Sequence, residues 1–378
     1  MTLYEGMALI QEKQAVVLDL GTDYTKFGFT GEAAPRCIIP SEFWCSDSRR
    51  MKRVFDYHSE QELYDNLVHM LHLLYFRHVL VNPKERKVVV VESLLTPTLV
   101  RETLAKVLFM HYEVSGVMWA DAGRLCALTL GAPVALVVMI GAMEAEVISV
   151  VHGVPILSAL QTAPLGARAI TAELHRLLLA DNPHLQLTDA QLEDIKVRAC
   201  FVPSRSHVGR EVRAAVYGLG SGGAVVVSGA ARVGAAEPLF YQDGDMSSLP
   251  DIMLQTIAQS PIDARLALAE NILVTGGTAA MPGLKARIAE EIRELVLQHP
   301  YCLRLKIPTF KFHTAPAHDN SVAWLGGALL GAADGGARAL PRDRFAVRRR
   351  LRDWPDLLCN TPPGHPHHAQ CDADKPTE

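Results

Sequence analysis

Residues 19–29, DLGTDYTKFGF, end an apolar strand in a carboxylate and follow it with a glycine turn, a hydroxyl and a lysine. Backbone N–H groups in such a turn converge on one point that Lys26 can also reach, which suits a phosphate. Taken alone, the pattern fits an ordinary hairpin turn more readily. The neighbouring sequence extends it to three short strands, Ala15–Leu20, Lys26–Phe29 and Cys37–Pro40, with glycines 21, 28 and 31 suited to tight turns.

Beyond this meander lies a short polar connection, SEFWCSDSRRMKR (41–53). From Glu60 the leucines at 63, 67, 71 and 74 share one face of a helix. RKVVVVES (86–93) is the continuous apolar run of a buried central strand, and a second helix is expected near Leu99–Tyr112. VSGVMWADAGRLCALTLG (114–131) then leads into LVVMIGAMEAEVISVVHG (136–153), two apolar strands around a tight turn. A similar cycle follows. VPILSAL (154–160) reads as a third short strand, followed by helices at Ala167–Leu179 and Thr188–Cys200, the latter capped by Thr188. Pro203–Glu237 reads as strands with flexible turns. From Leu249 a helical stretch is expected to pass Pro261 and end at the strand NILVTGG (271–277). Two related α/β halves, each with a mixed sheet, fit this order better than one doubly wound sheet.

The 378 residues, 49% hydrophobic and 21% charged, suffice for two well-filled domains of a globular protein. A net charge of −4 gives no general affinity for polyanions, so no nucleic-acid partner is expected. No apolar run approaches the roughly 20 residues of a membrane span, and the N-terminus lacks the pattern of a leader, so a cytosolic or nuclear protein without membrane insertion is expected. Seven scattered cysteines without a C-x-x-C pair read as reduced thiols rather than disulfides or a zinc site.

ILVTGGTAAMPG (272–283) ends a strand in two glycines and a threonine, allowing close backbone approach to a ligand. With DLGTDYTKFGFTGEAAPRCIIPS (19–41), LEDIKVRACFV (192–202), LAENILVTGGTAAMPG (268–283) and SVAWLGGALLG (321–331), the chain resembles the actin family from about Ala15 to Ala332. The last of these stretches reads as a small-residue helix or turn. The resemblance implies an α/β, actin-like fold of the actin/Hsp70/hexokinase type, two-lobed with a mixed sheet in each lobe and a central cleft. The first lobe would comprise 1–130 and 322–340 with a shortened small subdomain at 41–58, and the second 131–321. A basic, then Pro/His-rich tail at 341–378 is expected to be an exposed helix or strap followed by a disordered end.

Asp19, Gly21, Thr22, Lys26, Gly141, Lys196, Gly276, Gly277 and Thr278 match the family's nucleotide positions, implying that ATP or ADP could bind. Against that, Val197, Met281 and Asn320 replace residues expected around the base. The second phosphate turn, "MIGAME", has Met139 and Ala142 where the family has aspartates, Glu146 for a catalytic histidine and, elsewhere, Ala122 for a catalytic glutamine. No catalytic or metal residues, and no hydrolysis, are therefore expected. Glu144 and Glu146 read as solvated or paired surface acids.

Within the family the chain is most similar to the pointed-end actin-related subunit of dynactin, in LYEG (3–6), LYFRHVLVNPKERKVVVVES (74–93), RETLAKVLF (101–109) and SPIDARLALAENILVTGGT (260–278). That likeness implies a non-catalytic cytoplasmic, cytoskeletal protein whose partners are actin-related filament subunits and dynactin pointed-end subunits, with dynein engaged indirectly. Ser41–Arg53 and the basic tail are the expected contacts. A nucleotide-switched subunit of a nuclear chromatin-remodelling complex is the alternative; a sugar kinase is disfavoured by the bare second turn. Arg348, Arg349, Arg350 and Arg352 read as a solvated tail, HPHHAQC (365–371) as tail rather than metal site, and Trp44 and Trp354 as partner anchors or parts of small local cores.

Overall fold

The computed structural model of the chain describes residues 14–45, 49–84, 86–219, 223–241 and 247–351. LYEG, Arg352, Trp354 and the Pro/His-rich end with its HPHHAQC lie outside the described residues. The chain divides into two compact units, Met1–Thr129 with Ser321–Glu378, and Leu130–Asn320. Each is an α/β unit with a mixed sheet.

The first unit opens as the sequence predicts, with β1 (Val16–Leu20) antiparallel to β2 (Tyr24–Phe29) and β2 to β3 (Cys37–Pro40). The stretch expected as a mere connection is a hairpin, β4 (Glu42–Cys45) and β5 (Arg50–Arg53). Its period-2 pattern is concealed by the polar composition, since Phe43 on the inner face lies opposite Lys52. Phe43 turns inward and stacks on His69 at 5.1 Å between ring centres, while Trp44 and Met51, directly opposite each other, face solvent.

Helix α1 (Glu60–His72) starts where Ser59 accepts the Glu62 N–H, and it continues as a π-helical stretch, Leu73–His78. All four leucines of the expected face are fully buried. β6 (Lys87–Glu92) is the central strand, parallel to β1 on one side and to β7 (Gly116–Asp121) on the other. Between β6 and β7 runs α2 (Thr98–Lys106), extended by the π-helical Val107–His111. Neither β7 nor α3 (Ala122–Leu130) was anticipated. Asp121 is both the last residue of β7 and, through its carboxylate, the acceptor of the Gly123 and Arg124 N–H groups, so no polar linker marks the boundary.

In the second unit β8 (Val134–Ile140) and β9 (Ala145–Val151) form the expected hairpin. The third strand reduces to two short pieces on β9, β10 (Val154–Pro155) and β11 (Gln161–Ala163). Then come α4 (Ala167–Asp181) and α5 (Asp189–Ala199), the latter entered through a Thr188/Gln191 capping box. The glycine-rich stretch holds the hairpin β12 (Ala215–Gly218)–β13 (Ala224–Val227) but also α6 (Gly229–Gly234), which was not expected. Nor does one helix pass Pro261. Helix α7 (Leu249–Gln259) stops at Ser260, forced into the extended region by the proline that follows, and α8 (Arg265–Glu270) is separate. β14 (Ile272–Thr275) lies parallel to β8, with α9 (Leu284–Leu295), α10 (Tyr301–Arg304) and the edge strand β15 (Phe312–His313) after it.

The chain re-enters the first unit as α11 (Val322–Asp334), a full helix along SVAWLGGALLG. The Trp324 indole donates to the Val17 carbonyl at 3.1 Å. β16 (Leu340–Pro341) closes the order β16-β7-β6-β1-β2-β3. Where an exposed helix or strap was expected, α12 (Arg342–Arg348) buries Phe345, whose ring stacks on Phe109 at 4.6 Å, and the Leu351 N–H donates to Glu102. Cys37, Cys45, Cys126, Cys200 and Cys302 are free thiols. Among the described residues no helix is long and apolar enough to cross a membrane.

Candidate functional site

In the first unit Asp19, Gly21, Thr22 and Lys26 share the β1–β2 turn. The hairpin register places Asp19 opposite Lys26, whose ammonium bonds the carboxylate at 2.8 Å. A phosphate at this turn would have to share Lys26 with Asp19. Ser41 braces the turn from behind: its hydroxyl donates to the Gly21 carbonyl at 2.6 Å and its N–H to the Asp23 carbonyl at 2.9 Å. The Ser41 carbonyl in turn accepts the Val54 N–H, so the base of the β4–β5 hairpin and the turn are one hydrogen-bonded network. This bracing role of Ser41 acts through backbone groups twenty residues away and is not legible in the sequence.

In the second unit Gly141 and the Gly276–Gly277–Thr278 segment come together. Gly276 sits at φ +99°, and a Cβ there would lie 2.3 Å from the Ile140 carbonyl oxygen. Only glycine allows the end of β14 to approach the end of β8 this closely. Asp319 fixes the same segment: its carbonyl accepts from the Gly276 N–H and the Thr275 hydroxyl, and its carboxylate pairs with Lys285 at 2.6 Å. Around Gly277 the space is open, and the buried Thr278 hydroxyl has no hydrogen-bond partner among the described residues. An open glycine beside an orphaned hydroxyl fits a phosphate oxygen. Lys196 is placed otherwise, on α5, with its ammonium bonded to Thr171 at 3.0 Å and Glu193 at 2.5 Å. Its neighbour Val197 is exposed.

The β8–β9 turn does not fit a metal. The Gly141 and Ala142 carbonyls accept the N–H groups of Ala167 and Arg168, closing the turn onto the start of α4. Met139 stands opposite Glu146 in the ladder. Glu146 is buried, 6% exposed, rather than the surface acid expected. Glu144 lies in the turn, half-buried, and burial raises its pKa. Among the described residues no group of three or more His, Cys, Asp or Glu side chains is arranged to hold a metal ion.

A cluster the sequence reading passed over lies at the C-terminal ends of β6 and β7, where Glu92 and Asp121 are register partners. Glu92 is 6% exposed, bonded through Oε2 to Arg101 at 2.8 Å, with Oε1 left without a partner among the described residues. Burial raises its carboxyl to about 7, outweighing Arg101, and the Asp121 carboxylate adds to the rise. Burial raises Asp121 too, against the pull of the Arg124 and Gly123 N–H groups. The available sign was the carboxylate closing the run RKVVVVES.

A model of the family described as Actin matches residues 60–195 and 187–337. The chain belongs to the actin family. Relatives include actin-related protein 10 of Dictyostelium discoideum, 25% identical over 85% of this chain and 83% of its own length. Actin-related protein 2 of Arabidopsis thaliana is also 25% identical, over 85% of this chain and 92% of its own. In the second unit the open Gly277 and the Thr278 hydroxyl offer backbone and hydroxyl groups to an anion, and the acid of the β8–β9 turn is Glu144.

Two predictions follow from these placements. Glu92 binds its proton more tightly in the folded unit than in the unfolded chain, so its contribution is complete below about pH 4.5 and is lost as the pH rises through about 7. Between pH 5.5 and 8 the unfolding free energy of the first unit falls by on the order of 2 kcal/mol, and Glu92→Gln flattens that slope in urea titrations. A slope unchanged in Glu92→Gln would place the titration elsewhere. Replacing Thr278 by Val removes the orphaned hydroxyl and stabilises the nucleotide-free protein by about 1 kcal/mol. In differential scanning fluorimetry the same variant loses any shift that ATP produces in the native protein.

Proposed function

We propose that this chain is a non-catalytic actin-related subunit that caps the pointed end of the actin-related filament of dynactin and docks other pointed-end subunits there, in support of dynein-driven transport in the cytoplasm. The observation that carries the reading is the β4–β5 hairpin. In place of a larger subdomain with a loop to insert into a neighbour, the chain has two four-residue strands. They present Trp44, 61% exposed, and Met51, 49% exposed, as a cross-strand pair flanked by the exposed Arg49, Arg50 and Arg53. An exposed tryptophan on a braced hairpin is a favourable anchor for a protein interface. A subunit of this shape accepts a neighbour on one face and offers a different contact on the other, as the last subunit of a short filament requires.

The bare β8–β9 turn supports a structural role. Loss of the metal and of a positioned water each costs orders of magnitude in rate, so the subunit does not hydrolyse ATP. ATP or ADP is held, where it binds, through a phosphate at Gly276, Gly277 and Thr278 of the second unit. Similarity to an actin-related protein 10 supports the dynactin assignment; similarity to an actin-related protein 2 of the same identity supports only the family.

The test is purification from cells of the tagged chain with its partners. Recovery of actin-related filament and dynactin pointed-end subunits is expected, falling at least tenfold in the double variant Trp44→Ala, Met51→Ala, whose substitutions are on the solvent face and leave the fold intact. Recovery with chromatin-remodelling subunits instead contradicts the reading.

A further inference from the structure

Helix α12 turns the basic run from a tail into a fixed surface. Phe345 holds its inner side against Phe109. The Arg342 guanidinium bonds Glu113 at 3.0 Å, and Leu351, buried, is tied by its N–H to Glu102. The outer side carries Arg344, Val347 and Arg348, which at spacings of three and four share one helix face. Arg349 follows at the C-cap with φ +50°, a left-handed conformation that folds the chain back toward Leu351. Arg344, Arg348 and Arg349 are exposed and have no ion-pair partner among the described residues, and Val347 between them is 87% exposed.

Nearby acids are already engaged: Glu113 by Arg342 and Lys84, Glu102 by the Leu351 N–H. On the helix itself the acid is Asp343, in the first turn. Arginines near a helix C-terminus complement its dipole, which accounts for Arg348. It accounts for neither Arg344 nor an exposed valine amid the charges.

We propose that the outer face of α12 docks an acidic segment of another protein, with carboxylates on Arg344, Arg348 and Arg349 and an apolar side chain on Val347. Charge complementarity names the partner's sign, and Val347 favours protein over other polyanions. Three free guanidiniums fall short of the four to eight basic residues by which anionic membranes are bound, and the face has no aromatic side chain on which a base could stack. The chain's net charge of −4 confines the attraction to this patch. The inference does not depend on the dynactin reading, because any assembly that supplies such a segment satisfies it.

The probe is a fluorescent eight-residue peptide of six glutamates and two leucines, titrated by anisotropy into the full chain. Binding is expected to weaken at least tenfold in Arg344→Glu, Arg348→Glu and about threefold in Val347→Asp. It should be unchanged in the charge-matched control Arg210→Glu, Arg213→Glu, whose exposed side chains lie in the other unit. Arg349→Gly separates binding from folding. Glycine relieves the left-handed strain and raises the thermal midpoint by about 2 °C, while removal of the charge weakens the peptide about threefold. Equal weakening in the control pair, no effect of the α12 substitutions, or binding to phosphatidylserine vesicles or poly(U) at least as tight as to the peptide overturns the proposal.

Discussion

The first unit depends on how closely α11 lies against β1 and β6. A Cβ on Gly327 would come within 2.8 Å of Val91 and 3.0 Å of Val17, and one on Gly331 within 2.4 Å of Thr30. With glycine at these places the helix backbone drops onto the strands, and Trp324 reaches the Val17 carbonyl while its ring meets the backbone of Gly28. Helix α11 is thereby joined to the N-terminal meander, and β1 lies between β2 and β6 with the helix packed on its face. Side chains at the glycine positions would open a gap between helix and sheet of the kind a close-packed interior does not tolerate.

A comparable constraint acts in the second unit, where Gly276 lets the end of β14 press on Ile140. Each unit thus has a glycine turn at a strand end, Gly21 after β1 in the first and Gly276–Gly277 after β14 in the second. Met139 pairs with Glu146 and Ile140 with Ala145 in a ladder whose turn is hydrogen-bonded to the start of α4.

The sequence disclosed the parts in which one physical rule acts alone. Leucines at 63, 67, 71 and 74 follow the helical period because one face is buried, and RKVVVVES is apolar throughout because both faces are. It concealed β7 and α3 because Asp121 serves as strand end and helix cap at once, and the β4–β5 hairpin because its inward Phe43 is surrounded by charges. At the candidate site the glycines and lysines could be read, since turns and phosphates demand those residue types. The supports could not: Ser41 and Asp319 act through backbone groups distant in sequence, and the burial of Glu92 and Glu146 is a property of tertiary packing. The basic run at 348–350 is exposed, as its charge suggests, whereas the burial of Phe345 and Leu351, which anchors the backbone that carries it, is a property of tertiary packing.

The central claim, an actin frame without actin chemistry, is tested most directly by phosphate release. The chain, freed of co-purified filament subunits, is incubated with ATP labelled at the γ-phosphate, and free phosphate is followed for several hours. The account predicts release no faster than in buffer, whether or not nucleotide is retained by the protein. Stoichiometric or catalytic release that disappears on mutation of Glu144 or Glu146 would contradict it and make the β8–β9 turn a working site.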